Sequence, residues 1–283
     1  MKKWLIGLLT IVAAAGCLHA ELRPFSELWN NLGYFDTNLE KKSFSSLLGR
    51  FEGKAGLYLF DSPFQVYGVY YGATSQSGDY WDNSLYSGIG LRVKPFAGYT
   101  GDSWQNEWPR DLKIFYEILS ASYLKDGASA TAAGLRTSDN RYGFDLWHEW
   151  NLDNPDESLP WGELWANLSS RRTNFGWEDF NDYVLYFQPK LGKHLGRGIE
   201  VYLRGDLTTS GKGGPSYYFL NVADYGAGVR FEPWRRMEAN DFLKKFKMFV
   251  EVLGVSYLKD KPAAASKTVS SDVRFGIEFS YGR

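Results

Sequence analysis

The chain has 283 residues, 44% of them hydrophobic and 17% aromatic, with 23% charged and a formal net charge of −1. That much apolar and aromatic matter can bury a large core, which excludes disorder, and a near-neutral balance with a pI of 6.3 leaves no electrostatic footprint for nucleic acid. The longest apolar run, Leu5 to Ala15, falls short of the ~18 residues that a spanning helix needs, so a helical membrane protein is excluded as well.

The first segment in chain order is a targeting signal. Lys2 and Lys3 form a positive n-region, Trp4 to Gly16 an apolar h-region, and Ala20 a cleavage residue, so residues 1–20 read as a secretory signal peptide. A second cleavage reading stands beside it: Ala14-Ala15-Gly16-Cys17 resembles a bacterial lipoprotein box, with Ala14 where such boxes carry Leu. Cleavage at Ala20 removes the only cysteine, whereas cleavage before Cys17 leaves it as a lipid-bearing first residue. Under either reading the body, residues 21–283, is one exported domain.

That body reads as a tandem duplication, with repeat one at about 26–152 and repeat two at about 161–283. Glu27-Leu28-Trp29-Asn30-Asn31-Leu32 returns as Glu163-Leu164-Trp165-Ala166-Asn167-Leu168, and Gly88 to Phe96 returns as Gly226 to Trp234. Phe115 to Asp126 returns as Phe249 to Asp260, and Ser138-Asp139-Asn140-Arg141-Tyr142-Gly143 as Ser271-Asp272-Val273-Arg274-Phe275-Gly276. The order of the blocks never changes.

Each copy reads as six strands. Leu85, Ile89, Leu91 and Val93 alternate with Tyr86, Gly88, Gly90, Arg92 and Lys94; Ile199, Val201, Leu203 and Leu207 alternate with Glu200, Tyr202, Arg204, Asp206 and Thr208; Val273, Phe275, Ile277, Phe279 and Tyr281 alternate with Asp272, Arg274, Gly276, Glu278 and Ser280. Period two with one apolar and one charged face marks strands, and these runs exceed the usual ~5–6 residues. Such lengths suit strands crossing a bilayer, where every backbone group must be paired and the sheet must close. The expected fold is therefore all-β: a closed antiparallel transmembrane barrel of about 12 strands in the outer membrane. Tyr80, Trp81, Trp104, Trp108, Trp147, Trp150, Trp161, Trp177 and Trp234 fall near strand ends and are expected to form the interfacial girdle.

In such a barrel the polar strand faces point inward. Glu27, Lys54, Arg92, Glu117 and Arg141 of the first copy, and Glu163, Lys190, Arg204, Arg230, Glu251 and Arg274 of the second, are the expected lumen residues. The inward charges are of both signs in about equal number, which suits either a sealed interior or a narrow wet pore with little ion preference. Inward glycines, Gly88, Gly90, Gly143, Gly226, Gly228 and Gly276, either relieve curvature or open a wall for a loop or sugar chain. Trp29, Trp165, Tyr67, Tyr71 and Tyr202 are inward aromatics that serve as sugar-stacking surfaces or as filler.

Tyr80-Trp81-Asp82-Asn83-Ser84-Leu85-Tyr86, followed by Gly-x-Gly-Leu-Arg-x-x-Pro-Phe and repeated in part at Gly226 to Trp234, resembles the C-terminal outer-membrane barrel of the phage N4 adsorption protein A family and, more loosely, exopolysaccharide-secretion barrels. The resemblance implies a Gram-negative outer membrane and a link to surface polysaccharide. In that family a long helical-repeat scaffold precedes the barrel; here only a few residues separate the signal from the first strand, so a periplasmic scaffold would be a separate chain. The expected partners are outer-membrane lipid and lipopolysaccharide, the barrel assembly machinery and any such scaffold.

No chemistry rises above background. His148 and His194 stand alone, Gly205 to Gly213 misses the phosphate-loop spacing, and Asp153-Asn154-Pro155-Asp156-Glu157 reads as a solvated acidic turn rather than a calcium loop. The functional expectation is a non-enzymatic pore, without metal or cofactor, that passes surface polysaccharide or small solutes. The rival is a closed barrel serving as anchor, assembly factor or phage receptor, and a third reading is a barrel enzyme acting on lipid.

Overall fold

A computed structural model describes residues 23–37, 44–59, 62–77, 82–100, 107–126, 138–154, 156–173, 180–214, 217–235, 241–259 and 271–282. The signal segment, Cys17, Tyr80, Trp81, Trp104 and Trp177 lie outside them.

Twelve strands follow one another: β1 (Arg23–Thr37), β2 (Phe44–Tyr58), β3 (Phe64–Ser75), β4 (Ser84–Val93), β5 (Leu112–Tyr123), β6 (Ser138–Trp150), β7 (Pro160–Thr173), β8 (Phe180–Gly196), β9 (Ile199–Ser210), β10 (Val222–Phe231), β11 (Phe246–Tyr257) and β12 (Ser271–Tyr281). Each pairs antiparallel with its sequence neighbours, and β1 pairs with β12 from Leu28 opposite Tyr281 to Thr37 opposite Asp272, which closes the barrel. The even strand number brings the start of β1 and the end of β12 to the same end. Strands run from 10 to 17 residues, enough for a tilted crossing of hydrocarbon.

The alternation of side chains explains which face turns inward. In β5, Lys113, Phe115, Glu117, Leu119 and Ala121 are buried, while Ile114, Tyr116 and Ile118 between them are exposed. In β11 the buried set is Lys247, Phe249, Glu251, Leu253 and Val255, and the exposed set is Met248, Val250 and Val252. Leu203 at 65% and Val252 at 59% are among the most exposed apolar side chains, whereas Glu117 and Glu200 are fully buried. Charge inside and apolar surface outside invert the pattern of a water-soluble protein and match a sheet whose outer surface meets lipid.

Two of the tryptophans expected in the girdle are inside the barrel. Trp161 has no exposed surface and packs against Tyr202 and His194. Trp147 lines an interior cavity and donates its indole N–H to Glu149 at 2.8 Å. Trp108 and Trp234 are exposed beyond strand ends, where a girdle belongs. Position near a strand end does not decide the face; parity along the strand does.

The glycines also have specific causes. A Cβ on Gly90 would run into the ring of Tyr67, and one on Gly228 would lie 2.5 Å from Cζ of Tyr202, so these glycines are seats for tyrosine rings. At Gly88, Gly143, Gly226 and Gly276 a Cβ would meet the backbone of the next strand, which is the curvature reading. Between β8 and β9 the chain reverses through Gly196, Arg197 and Gly198, all with positive φ, the backbone that tight hairpins demand.

Substituting Gly90→Ala or Gly228→Ala is expected to lower unfolding stability by about 1–3 kcal/mol through overpacking. Gly98→Ala, where a Cβ meets nothing within 4 Å, is the matched neutral control in urea titrations of the folded barrel.

Candidate functional site in the barrel interior

Interior charges gather on two walls. On the first, β4 carries Arg92 across β3 and β2 to β1: its guanidinium donates to Glu27 Oε2 at 2.8 Å and Oε1 at 2.7 Å, and its Nε to Gln65. Lys113 of β5 lies 3.4 Å from the same Glu27 carboxylate. Phe25 and Tyr67 flank the guanidinium, with ring centroids at 4.7 and 5.2 Å. One layer further from the chain termini, Tyr67 and Tyr71 donate hydroxyls to Glu117 at 2.9 and 2.8 Å, and Lys54 reaches it at 3.5 Å. Further still, Arg141 donates to Asp139 at 2.8 and 2.6 Å beneath the rings of Tyr71 and Tyr86.

The second wall has the same three layers. Arg230 of β10 donates to Glu163 of β7 at 2.7 Å and to Glu200 of β9 at 2.6 Å, with Glu278 at 3.2 Å and the Trp161 ring at 4.5 Å. Lys190 and Lys247 complete that layer, 3.3 Å from Glu163 and 3.2 Å from Glu232. Tyr202 and Arg204 then bind Glu251 at 2.8 and 2.7 Å. Arg274 binds Asp272, Asp224 at 2.9 Å and Asp206 at 3.3 Å. Because Arg92–Glu27 and Arg230–Glu163 each bridge non-adjacent strands, these contacts pass through the barrel interior.

All eleven residues singled out in the sequence thus sit in these two networks. Asp139 and Asp272, the partners of the outermost arginines, were not among them; each shares strand parity with its arginine, and that parity was the available signal. Arg235, in the connection after β10, was also missed. It donates to Glu200 at 3.1 Å, to Glu232 at 2.8 Å and to the Leu152 carbonyl at 3.3 Å, tying two connections together at the end that carries the termini. Nothing in its sequence surroundings marks that role.

Among the described residues, cavities of about 440 and 370 Å³ lie between the walls. Both touch Trp29, Arg50 and Glu52 from β1 and β2, and Trp165 and Tyr186 from β7 and β8. Those strand pairs face each other across a ring of twelve, so the side chains common to both cavities, Trp29 and Trp165 among them, stand between two lanes. Trp165 stacks on Tyr186 with centroids 5.7 Å apart and donates to Asp145 at 3.1 Å.

The histidines are held in pairs: Nδ1 of His148 lies 2.8 Å from Asp111, and Nδ1 of His194 lies 2.7 Å from Glu200. Among the described residues no group of three or more His, Cys, Asp or Glu side chains could hold a metal ion. In the acidic turn Asp153 accepts from Lys245 at 3.0 Å, and Asp156 accepts from the hydroxyl and backbone N–H of Ser158. The two Ser158 bonds hold the Asp156 carboxyl below its ordinary range.

A closed antiparallel sheet, an apolar outer belt and a charged interior define an outer-membrane β-barrel. No protein-family model matches the chain, and no curated protein matches it either. Among solved structures it is similar to a KdgM porin in complex with disordered oligogalacturonate, with 12% identity, 90% of this chain and 99% of that one covered, and a TM-score of 0.39. It is also similar to the NanC porin (9% identity, 89% and 98% covered, TM-score 0.42) and to an outer membrane channel from Pseudomonas putida F1 (10% identity, 93% and 97% covered, TM-score 0.38). The superpositions are loose, and the membrane assignment rests on the barrel's own surfaces.

Arg230→Met is expected to cost about 3–5 kcal/mol, because it strands several buried carboxylates. Lys245→Ala breaks a pair whose side chains are 33% and 76% exposed and is expected to cost under ~1 kcal/mol. Urea midpoints of the two variants in lipid vesicles compare them directly.

Proposed function

We propose that the protein is a non-enzymatic outer-membrane channel that passes small polar solutes, single sugar units included. One observation carries this reading: the larger cavity reaches both ends of the strands. At one end it is lined by Thr208 and Asp224, each two residues from the end of its strand; at the other it is lined by Glu149 and Ser280, each one residue from the end. Arg274 and Ser280 alone, six residues apart on β12, separate lining groups by ~20 Å along the strand.

In this reading Glu27, Lys54, Arg92, Glu117, Arg141, Glu163, Lys190, Arg204, Arg230, Glu251 and Arg274 set lumen width and charge, and Trp29 and Trp165, between the lanes, set the narrowest point. The resemblance to exopolysaccharide-secretion barrels extends the proposal to a sugar chain, which would pass along the same rings. Tandem duplication belongs to the proposal as the origin of the two walls: Glu27–Arg92, Tyr67–Glu117 and Asp139–Arg141 on one answer Glu163–Arg230, Tyr202–Glu251 and Asp272–Arg274 on the other.

Planar-bilayer recordings of the refolded barrel test the channel. Discrete conductance steps are expected, and Trp29→Ala is expected to raise them about twofold by joining the lanes. Silence from a barrel that keeps its heat-modifiable gel mobility would overturn the channel and favour the anchor or receptor reading.

A further inference from the structure

We propose that the larger cavity selects ammonium-bearing organic solutes, so that the channel prefers cations. Passage rests on the channel reading; binding rests on the cavity itself.

The first support is charge. Carboxylates lining the larger cavity outnumber basic side chains seven to five, whereas the smaller cavity has four of each. Side chains of Glu278, Asp206 and Glu52 are 14, 17 and 22% exposed and those of Asp224, Glu163 and Glu251 8, 6 and 1%, beside 6, 8, 9 and 12% for Lys190, Lys247, Arg274 and Arg204. Three of the carboxylates are thus more open than these four bases. Glu149 accepts the Trp147 indole N–H at 2.8 Å. The exposed exception, Arg50, lies over the Phe35 ring, 5.2 Å from its centroid.

The second support is aromatic. Trp29, Trp147, Trp165 and Tyr186 line the same space. Ring faces attract cations through their quadrupole, and they attract organic ammonium groups best because these shed water easily. A low-dielectric wall with excess carboxylate focuses that attraction along a narrow passage. A bare metal ion fits poorly, since no three candidate ligands converge among the described residues. An acidic sugar would meet like charge.

Tryptophan fluorescence of the refolded barrel, titrated with glucosamine, choline, glucose and glucuronate, tests binding. Saturable responses to glucosamine, choline or both, with none to glucose or glucuronate, are expected; which of the two amines responds separates an amino sugar from a quaternary amine. Glu52→Gln combined with Glu149→Gln is expected to weaken the response about tenfold and to abolish the cation preference of the reversal potential in a KCl gradient. Arg50→Gln is expected to increase that preference. A folded barrel with no saturable response, an equal response to glucuronate, or anion preference would overturn the proposal. Intact ammonium binding in a barrel that carries no current would overturn the channel reading and leave the site standing.

Discussion

Hydrocarbon offers no partner to a peptide group, so a sheet that crosses it must satisfy every N–H and C=O within itself. The pairing of β1 with β12 does this, and the rest of the structure follows from it. Once the sheet is closed, each strand has one face toward lipid and one toward the interior, with no third choice. Apolar residues take the first. Lysine, arginine, aspartate and glutamate take the second along the middle of the strands, while Asp36, Arg172 and Lys193 stand on the outer face toward strand ends.

Buried charges are costly unless paired and hydrogen-bonded. The two walls meet that condition in the same manner: an arginine bridging non-adjacent strands, a tyrosine hydroxyl on a glutamate, and an arginine on an aspartate two residues away along its own strand. Aromatic rings stack over the guanidinium groups and fill the space that glycines on neighbouring strands leave open. The networks brace the walls instead of filling the lumen evenly, and two lanes remain on either side of the side chains that both cavities share, Trp29 and Trp165 among them. In the proposed channel, structural bracing and solute path are made of the same residues, seen from opposite sides.

Period-two alternation made the strands, their inward charges and the need for closure legible in the sequence. The strand pattern of Phe246 to Tyr257 alone places Lys247 and Glu251 on one face. What stayed hidden was of two kinds. Trp147 and Trp161 stand near strand ends, but Trp147 shares parity with Glu149 and Trp161 with Glu163, and parity outweighs aromatic type in setting their face. The seating of Tyr67 on Gly90 and Tyr202 on Gly228 depends instead on register between strands, since each pair stands directly opposite, and single-strand patterns do not contain it. The unequal charge of the two lanes was hidden for a similar reason. Inward charges nearly balance when counted along the chain, and the bias emerges only when they are divided between the two lanes.

The central claim is that the charged faces enclose a lumen that water reaches from both ends. The body of the chain has no cysteine, Cys17 being the only one, so single thiols can be introduced at will. The most direct measurement places them by Glu149→Cys and Thr208→Cys at the two ends of the larger cavity, and by Leu203→Cys and Phe275→Cys on the outer surface. Each variant is then treated in outer-membrane vesicles with a charged, membrane-impermeant methanethiosulfonate. Rapid modification of the first pair and protection of the second is the predicted result. Protection of the cavity thiols in a folded barrel, or modification of the outer pair, would contradict it.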